Sequence, residues 1–442
     1  MVLSALLVSA AACTSGSPAE SPGSPVQTSP SAHASPSAHA SPSAHASPSA
    51  HASPSAHASP NPEAVRIRAP AGGTLLVRGR YPNVRSRCAH QARPRLLARY
   101  PGTLAVVRSS DGSLSLTLTL PFERYLEGIA EMPPSWPLAA LEAQAIAARS
   151  YALASTGWSG PEGTPLPTPI CASSSCQVYR GIPVPPEPGF GRWIRAVHAT
   201  RGEVLLYAGR PADTVYFSTS NGHTYGNDQV FGGAPLPYLR PVVERDDGAS
   251  PTSRWRVRIP FGDLATFLHA AGTWPANHPI SQVRLEGGTI VVSGPGVSRS
   301  MDVDSFRDAV DTWAPCLEPG RYPPGSLPVT IPSHWLTVSS GPDAVVLNGR
   351  GWGHGVGMVQ WGAYGKALRG WNASQILAYY YGGLRPERFP EPGLIHVRVA
   401  SGLTAVRITP SGSGAKLDGR PLAGRSVTVT GGDRLGIMTA SR

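Results

Sequence analysis

Glu131 is the residue whose neighbours in the sequence point most directly to acid–base chemistry. It lies in GIAEMPPSWPLAALEAQAIAARSYAL (128–153), with an apolar residue on each side and two prolines shortly after it. An apolar setting disfavours the ionised carboxylate and raises its pKa toward neutrality, as a general acid requires. Judged from the residues alone, the more ordinary interpretation is a solvated carboxylate stabilised by the dipole of the following helix.

The helix predicted after Glu131 is rich in alanine. Ser135 is placed to cap its N-terminus, and Pro137 suits its first turn. Small side chains along one face would let the helix pack closely against a neighbour. The predicted face consists of Leu138, Leu141, Ala145, Ala148 and Ala152. We therefore expect Glu131 just before the N-terminus of a tightly packed helix.

A second candidate site lies in the glycine-rich stretch GRGWGHG, residues 349–355. Its glycines alternate, so they do not match the GxGxxG pattern of dinucleotide-binding loops, and GAYGKA lacks the ends of a phosphate-binding P-loop. The glycines predict sharp turns and the close approach of a ligand or another strand. His354 is a candidate to line a cleft there, and a structural imidazole is the alternative.

Short β-type runs separated by Gly and Pro dominate the rest of the folded region. The run SLSLTLTL (113–120) alternates polar and apolar residues, as a half-buried strand does. Helices are predicted for GDLATFLHAAG, for DSFRDAVDTW, for 358–368, and for a last segment that Asn372 and Gln375 begin with a capping box. We therefore predict an α+β fold, a mixed β core with the Ala-rich helix and the C-terminal helices lining a substrate groove.

The N-terminus predicts export. MVLSALLVSAAAC is apolar and ends in small residues before Cys13, as in a bacterial lipoprotein signal, so residues 1–12 are expected to be removed and Cys13 lipidated. An ordinary signal peptide is the alternative, and the run is too short for a transmembrane helix. Residues 13–63 carry five SPSAHA repeats and no large apolar cluster, which predicts a disordered linker. A folded domain is predicted at 64–384 and a small β-rich module at 385–442.

Four cysteines remain after Cys13, and an even number in an exported protein favours disulfides. Three pairings of Cys88, Cys171, Cys176 and Cys316 exist. Cys171 and Cys176, in CASSSC, are close enough to clip one loop, which would leave Cys88 with Cys316. A zinc site on Cys171, Cys176 and a histidine is the alternative.

The charge of the chain predicts an anionic partner. The net charge is +11, while charged residues make up only 15% of the sequence. Nucleic acid, a membrane surface and a bacterial cell wall would all fit such a charge. The positive residues are scattered and no basic-aromatic pattern or zinc-finger spacing occurs, so we do not expect nucleic acid as the partner.

Several blocks of the sequence resemble the SpoIID/LytB family of stage II sporulation protein D and amidase-enhancer proteins. The blocks are EMPPSWPLAALEAQAIAARSYAL, CQVYRG, VYFSTSNGHT and GRGWGHGVGMVQWGAYGKALRGWNASQILAYYYGG, and they follow the family's order over about 120–384. Two departures are visible. The segment between YL and Glu131 is two residues shorter than the common family pattern, and His223 replaces a glycine.

The resemblance implies a peptidoglycan lytic transglycosylase that needs no metal or cofactor. The glutamate of the family's Glu-Met-Pro motif falls on Glu131, which would be the catalytic acid. The resemblance also implies substrate-binding positions along the cleft. These are Arg149, Ser218, Asn221, Thr224, His354 and Gln360. For Arg149, a structural role is the alternative.

A glycan hydrolase usually needs two carboxylates, whereas a lytic transglycosylase can use one carboxyl group as acid and then as base. The single candidate Glu131 therefore suits the implied reaction. The implied partners are peptidoglycan glycan strands and a cell-wall amidase, with the protein held by its lipid on the outer face of the cytoplasmic membrane, in the cell-wall compartment. Two other functions stay open. One is a non-catalytic peptidoglycan-binding amidase enhancer, and the other is an extracellular scaffold.

Overall fold

The computed structural model describes the chain in five stretches, residues 64–80, 96–129, 131–183, 188–323 and 330–440. All of them belong to one compact unit, Pro60–Arg442. The signal sequence predicted at 1–12, the linker predicted at 13–63, Cys13 and Cys88 lie outside the described residues.

The fold is mixed α+β, as predicted, with 23% helix and 34% strand. The helices are α1 (Phe122–Glu127), α2 (Leu138–Thr156), α3 (Phe190–Ala199), α4 (Asn227–Val230), α5 (Phe261–Ala270), α6 (Val303–Leu317), α7 (Gln360–Leu368) and α8 (Ala373–Tyr380). The strands are β1 (Ala64–Arg68), β2 (Leu75–Arg80), β3 (Leu96–Tyr100), β4 (Thr103–Arg108), β5 (Leu114–Pro121), β6 (Ile170–Cys171), β7 (Glu203–Tyr207), β8 (Arg210–Pro211), β9 (Tyr216–Phe217), β10 (Trp255–Pro260), β11 (Gln282–Glu286), β12 (Thr289–Gly294), β13 (Val297–Asp302), β14 (Leu336–Ser340), β15 (Ala344–Gly349), β16 (Met358–Val359), β17 (Pro386–Arg388), β18 (Leu394–Leu403), β19 (Ala405–Pro410), β20 (Lys416–Leu417), β21 (Arg420–Pro421), β22 (Ser426–Thr430) and β23 (Gly436–Ala440).

Two large sheets form the main core. One has the strand order β21-β20-β1-β4-β5-β18-β6, and the other has the order β23-β22-β19-β2-β3. The leucines at alternate positions of β5 are buried while the residues between them are partly exposed, which confirms the half-buried strand predicted from SLSLTLTL.

The C-terminal strands do not form the separate module predicted at 385–442. Strand β18 pairs with β5, placing Val397 opposite Leu118. Strand β19 pairs with β2, placing Ile408 opposite Val77. The N-terminal strands therefore find their neighbours at the far end of the chain, because a strand with an apolar face is stable only when its edges are paired or covered.

Helix α2 is buried on nearly every side and contacts α3, α7, α8 and β7. Its alanines let these neighbours approach closely, as predicted, although Leu138 of the predicted face is 41% exposed. The predicted cap at Ser135 is wrong. Pro137 itself occupies the N-cap position, so the helix begins at Leu138 without a side-chain cap. The prediction for α8 is confirmed, since Asn372 and Gln375 form a capping box.

The segment from β10 to β15 builds a second hydrophobic core of its own. Helices α5 and α6 pack against each other, and a meander of β11, β12 and β13 adjoins them. Phe267 and Phe306 are fully buried there. The helices predicted for GDLATFLHAAG and DSFRDAVDTW are confirmed as α5 and α6, but the sequence did not predict that the elements of this insertion share a core.

The disulfide clip predicted in CASSSC is confirmed. Cys171 and Cys176 are bonded, with their Cα atoms 5.6 Å apart. Both thiols are consumed by this bond, so the zinc alternative at these two residues is wrong. Cys316 is also disulfide-bonded. The clip lies just ahead of Gln177 and Val178, which reach the region of Glu131.

Candidate active site

The carboxyl group of Glu131 is fixed by donors that lie far from it in sequence. The backbone N–H of Val178 donates to its Oε1 atom at 3.0 Å. The hydroxyl of Tyr216 donates to its Oε2 atom. The residue keeps some contact with solvent. The side chain is therefore oriented by two protein segments, and the residue remains partly exposed.

Tyr216 is itself held by a chain of polar groups that runs into the core. Its hydroxyl accepts a hydrogen bond of 3.0 Å from Nε2 of Gln177. That amide nitrogen also donates to the backbone oxygen of Ala148 in α2, and Oε1 of Gln177 accepts from the hydroxyl of Tyr125 at 2.7 Å. Because each member has a fixed partner, the Tyr216 hydroxyl is aimed at Glu131 before any ligand arrives.

Burial and hydrogen bonding act on Glu131 and Tyr216 in different ways. Burial raises the pKa of Glu131 above its usual value, while the hydrogen bonds from Tyr216 and Val178 and the positive charge of Arg180 act in the opposite direction. Burial and the neighbouring Glu131 raise the pKa of Tyr216 well above its usual range. Tyr216 therefore keeps its proton and acts as a donor, whereas Glu131 is the group able to exchange one.

Gln360 joins the last sequence block to the first. It is the first residue of α7, and its Nε2 atom donates to the backbone oxygen of Glu131 at 3.0 Å. The same atom donates to Oε1 of Gln144 in α2 at 3.2 Å. The loop that carries Glu131 is thereby fastened to two helices, and Gln360 lies next to Glu131.

Aromatic rings surround the start of α2 next to Glu131. The ring of Trp136 lies 4.7 Å from that of Trp361 and 5.0 Å from that of Tyr364. Trp136 is buried, while Trp361 and Tyr364 are partly exposed. Aromatic faces at a polar surface are suited to contact the apolar faces of sugar rings.

His354 supports the backbone of Tyr216 as a neutral imidazole. Its Nε2 atom lies 2.9 Å from the backbone oxygen of Tyr216, and Nδ1 accepts from the backbone N–H of Val356 at 3.2 Å. Nε2 must therefore carry the hydrogen. Burial lowers the pKa of His354 to about 4. The residue lies at the site, where it positions Tyr216 and has no proton to give at neutral pH.

The glycine-rich stretch packs against protein rather than cradling a ligand. Gly355 and Gly357 have φ of 87° and 76°. A Cβ atom on Gly357 would lie 2.0 Å from the backbone oxygen of Val215, and one on Gly355 would lie 2.7 Å from the ring of Trp335. The predicted close approach of another strand is thus confirmed, and it lets His354 reach β9.

Ser218 and Asn221 lie on the loop that follows β9, at different distances from the site. The backbone oxygen of Ser218 accepts from the N–H of Trp361 at 3.1 Å, next to Gln360. The Nδ2 atom of Asn221 donates a hydrogen bond of 2.7 Å to the hydroxyl of Tyr225. Ser218 therefore adjoins the Glu131 region, while Asn221 faces a separate cavity.

Two of the predicted cleft residues are internal. Arg149 is 1% exposed and makes two hydrogen bonds to the carboxylate of Glu123, of 2.8 and 2.9 Å. Its remaining donors reach backbone oxygens of Val197 and Glu203. Thr224 is 1% exposed, and its hydroxyl accepts from the N–H of Val242. The geometry favours the structural alternative for Arg149 and gives Thr224 a structural contact as well.

Sequence reasoning missed the residues that fix Glu131 most directly. Tyr216 and Gln177 lie inside the blocks VYFSTSNGHT and CQVYRG, which carry the family resemblance. A tyrosine next to a phenylalanine in a predicted strand is indistinguishable from a core residue. The sequence signal was the glutamine directly after the CASSSC clip. Gln177 is fully buried, and a buried polar side chain needs a hydrogen-bond partner.

No group of three or more metal-ligating side chains occurs among the residues that the structure describes. The polar partners of Glu131 are a tyrosine hydroxyl and a backbone amide, which are not metal ligands of the usual kind. The arrangement is suited to proton transfer by a single carboxyl group.

This chain is similar in sequence to several known proteins. The family described as SpoIID, stage II sporulation protein, matches residues 110–207, a stretch that contains Glu131 and Gln177. An uncharacterized protein of Brachyspira hyodysenteriae is 30% identical over 289 residues, which are 64% of this chain and 71% of that protein.

Two named relatives come from Bacillus subtilis. The protein named stage II sporulation protein D is 27% identical over 299 residues, covering 64% of this chain and 78% of that protein. The protein named amidase enhancer is 27% identical over 292 residues, covering 57% of this chain and only 38% of that protein. On these matches the chain belongs to the SpoIID family.

Proposed function

We propose that this protein is a peptidoglycan lytic transglycosylase with Glu131 as its acid and then its base. The observation that carries the proposal is a carboxyl group with a raised pKa that is held by Tyr216 and the N–H of Val178. Among the described residues, none of its hydrogen-bond partners is a second carboxylate. A hydrolase would use a second carboxylate to activate water or to attack carbon.

In the first step Glu131 donates its proton to the oxygen that bridges MurNAc C1 and GlcNAc O4. The bond from C1 to that oxygen breaks as positive charge develops at C1, and GlcNAc leaves with the proton. Burial favours the protonated form that this step requires. The hydrogen bonds from Tyr216 and Val178 then stabilise the carboxylate that the step creates.

In the second step the Glu131 carboxylate removes the proton from the C6 hydroxyl of the same MurNAc. Oxygen O6 attacks C1 and closes the 1,6-anhydro ring, so Glu131 ends the cycle protonated. No water enters the product. Opposing influences on its pKa suit this double duty, because burial favours the acid form and the two hydrogen bonds favour the base form.

The remaining predicted substrate contacts divide by location. Ser218 and the aromatic side chains Trp361 and Tyr364 adjoin Glu131 and are proposed to contact the glycan directly. Gln360 and His354 act through the backbone of Glu131 and Tyr216, so we propose them as positioning residues. No cofactor is required by these steps.

A non-catalytic role is the second candidate, because one relative is named amidase enhancer. Under that function the chain would bind glycan and assist a cell-wall amidase without cutting. The proposed catalytic function differs from the enhancer function because it requires Glu131 to donate a proton and then to accept one.

The proposed location is the cell-wall compartment, with a lipid on Cys13 as the anchor to the outer face of the cytoplasmic membrane. The support is the sequence of residues 1–13 together with the family. In the described ranges, no helix has the length and apolar character needed to span a bilayer.

Product analysis tests the proposal. Purified peptidoglycan, with and without stem peptides, is treated with the wild-type chain and with Glu131→Gln, and the products are analysed by mass spectrometry. We expect 1,6-anhydro-MurNAc ends with the wild type and none with the variant. Intact binding to sacculi without any cleavage by the wild type would instead support the enhancer function.

A further inference from the structure

A cavity of about 800 Å³ lies where the inserted segment meets the loop after β9. From the insertion, its lining includes Arg254, Arg256 and Arg350, together with the indole of Trp335. Asn221 contributes from the other side. No acidic side chain is among the described residues that line this cavity, which makes it strongly cationic.

The three guanidinium groups have no partner that neutralises their charge among the residues that the structure describes. Within the described residues, the side chains of Arg254, Arg256 and Arg350 make no hydrogen bond or ion pair, and all three are exposed. Arg258, two residues further along the same strand, is paired with Asp343 at 2.5 Å. Three unpaired like charges around one cavity repel one another, so an anion bound among them would be stabilised.

The strand register arranges the polar groups in a row. Arg256 of β10 lies opposite Asn348 of β15, and Asn348 lies opposite Thr337 of β14. All three residues line the cavity. A guanidinium, an amide and a hydroxyl side by side can bind a carboxylate and the polar groups next to it.

The cavity is connected to the proposed active site through packed rings. The ring of Trp335 stacks on Tyr225 at 5.6 Å and meets Phe217, the neighbour of Tyr216, at 6.3 Å. Oδ1 of Asn221 is buried without a hydrogen-bond partner. Such an orphaned acceptor is costly unless a ligand supplies a donor, as a sugar hydroxyl or an acetamido N–H would.

We infer that this cavity is a carboxylate-binding subsite for the glycan strand, with Arg254, Arg256 and Arg350 as the anion-binding residues. The inference rests on the proposed function for its choice of ligand. In peptidoglycan the carboxylates come from two sources, the lactyl group of a peptide-free MurNAc and the stem peptide. Trp335 offers a face for the adjoining sugar ring, and Asn221 accepts a hydrogen bond from it.

Binding measured by calorimetry tests the inference without requiring cleavage. The full chain carrying Glu131→Gln is titrated with a peptide-free GlcNAc–MurNAc tetrasaccharide, with the same sugar after methyl esterification of its carboxylates, and with a fragment bearing stem peptides. We expect the free acid to bind about tenfold more tightly than the ester. Tighter binding of the peptide-bearing fragment would assign the carboxylate to the stem peptide. Weaker binding would assign it to the lactyl group, because the amide bond to the stem peptide removes the lactyl carboxylate.

Substitutions locate the effect. The combined change Arg254→Gln, Arg256→Gln and Arg350→Gln is expected to abolish the tenfold difference between acid and ester, while Arg258→Gln, the paired arginine of the same strand, preserves it. Equal binding of acid and ester by the parent chain, or an equal loss in Arg258→Gln, would overturn the inference. Preferential binding of a phosphodiester wall polymer to the three arginines would also overturn it.

The two proposals can fail separately. A wild-type chain that distinguishes acid from ester but forms no anhydro ends would contradict only the transglycosylase function. A chain that forms anhydro ends and binds acid and ester alike would contradict only the subsite.

Discussion

Glu131 and Glu244 are two enclosed carboxyl groups with opposite surroundings. Glu244 contacts Nζ of Lys366 at 3.1 Å, the hydroxyl of Tyr380, and the N–H groups of Arg245 and Asp246. Among the described residues, Glu131 has two neutral donors and no cation in contact. A buried carboxylate with a cationic partner holds structure, whereas a buried carboxylate without a cation in contact is better suited to take and release a proton.

Two buried cations, Lys366 and Arg149, are paired within the fold as Glu244 is. Lys366 is 1% exposed, and its ammonium also contacts Asp246 at 2.8 Å and faces the ring of Tyr379 at 4.3 Å. Arg149 is equally enclosed by Glu123 and backbone oxygens. Both resemble functional residues in sequence, since each lies in a motif block, yet their donors are used within the fold.

The largest expected effect is on catalysis by Glu131→Gln. Loss of a general acid should lower formation of anhydro ends by about 10²- to 10⁴-fold, measured by product chromatography. Stability should not fall at pH 7. The pKa of Glu131 is raised in the folded state, so its contribution to stability is lost as pH rises above the unfolded value, and Gln avoids that loss. A variant less stable than wild type at pH 7 would contradict the assignment of a buried carboxyl group that no cation contacts.

Lys366→Met should destabilise the protein without a direct effect on chemistry. Removing the cation leaves Glu244 and Asp246 enclosed without their shared partner, which costs about 3–5 kcal/mol in the free energy of unfolding. Denaturant titration measures it. The matched control is Lys416→Met, the chain's other lysine, which is exposed and should change stability by less than about 0.5 kcal/mol. Equal effects of the two substitutions would argue against a structural role for the cluster.

His354 should make the free energy of unfolding depend on pH below its ordinary pKa of 6.5. The pKa of His354 is lowered from 6.5 to about 4 in the folded state, so the unfolded chain binds the proton more tightly between these values. Stability should therefore fall as the pH is lowered from 6.5 to 4, by up to about 3 kcal/mol. His354→Asn should remove this component of the pH dependence, as measured by thermal unfolding at several pH values. An unchanged slope in the variant would mean that His354 is not held neutral.

Tyr216→Phe removes one hydrogen bond to Glu131 and should change both kcat and the pH dependence of the rate. Losing a bond to the developing carboxylate should cost about 10- to 100-fold in kcat. The Tyr216 bond lowers the pKa of Glu131, so its loss should raise that pKa and move the alkaline limb of the pH–rate profile to higher pH. Tyr125→Phe, which removes only a bond to Gln177, serves as the control. A limb that does not move, or moves to lower pH, would contradict the assigned contact.

Local features of this protein were predictable from the sequence. The alternating β5, the capping box of α8 and the CASSSC disulfide each depend on residues within a few positions of one another. The position of Glu131 ahead of a close-packed helix also follows from neighbouring residues. These features are encoded by short-range patterns of side-chain size, polarity and turn chemistry.

Long-range pairing was not predictable in the same way. Nothing in IHVRVAS states that Val397 lies opposite Leu118, so the C-terminal strands read as a separate module. Likewise, Glu123 as the partner of Arg149 and Tyr216 as the partner of Glu131 join residues 26 and 85 positions apart. Such contacts depend on how the sheets and helices are arranged, which a single sequence does not specify.

The fate of water in the reaction tests the central claim most directly. Peptidoglycan is digested by the wild-type chain in water enriched in ¹⁸O, and the new glycan ends are examined by mass spectrometry. We expect anhydro ends that contain no ¹⁸O, because O6 of the same MurNAc attacks C1 and Glu131 handles both protons. Reducing ends carrying ¹⁸O would show that water is the nucleophile and would contradict the single-carboxyl mechanism.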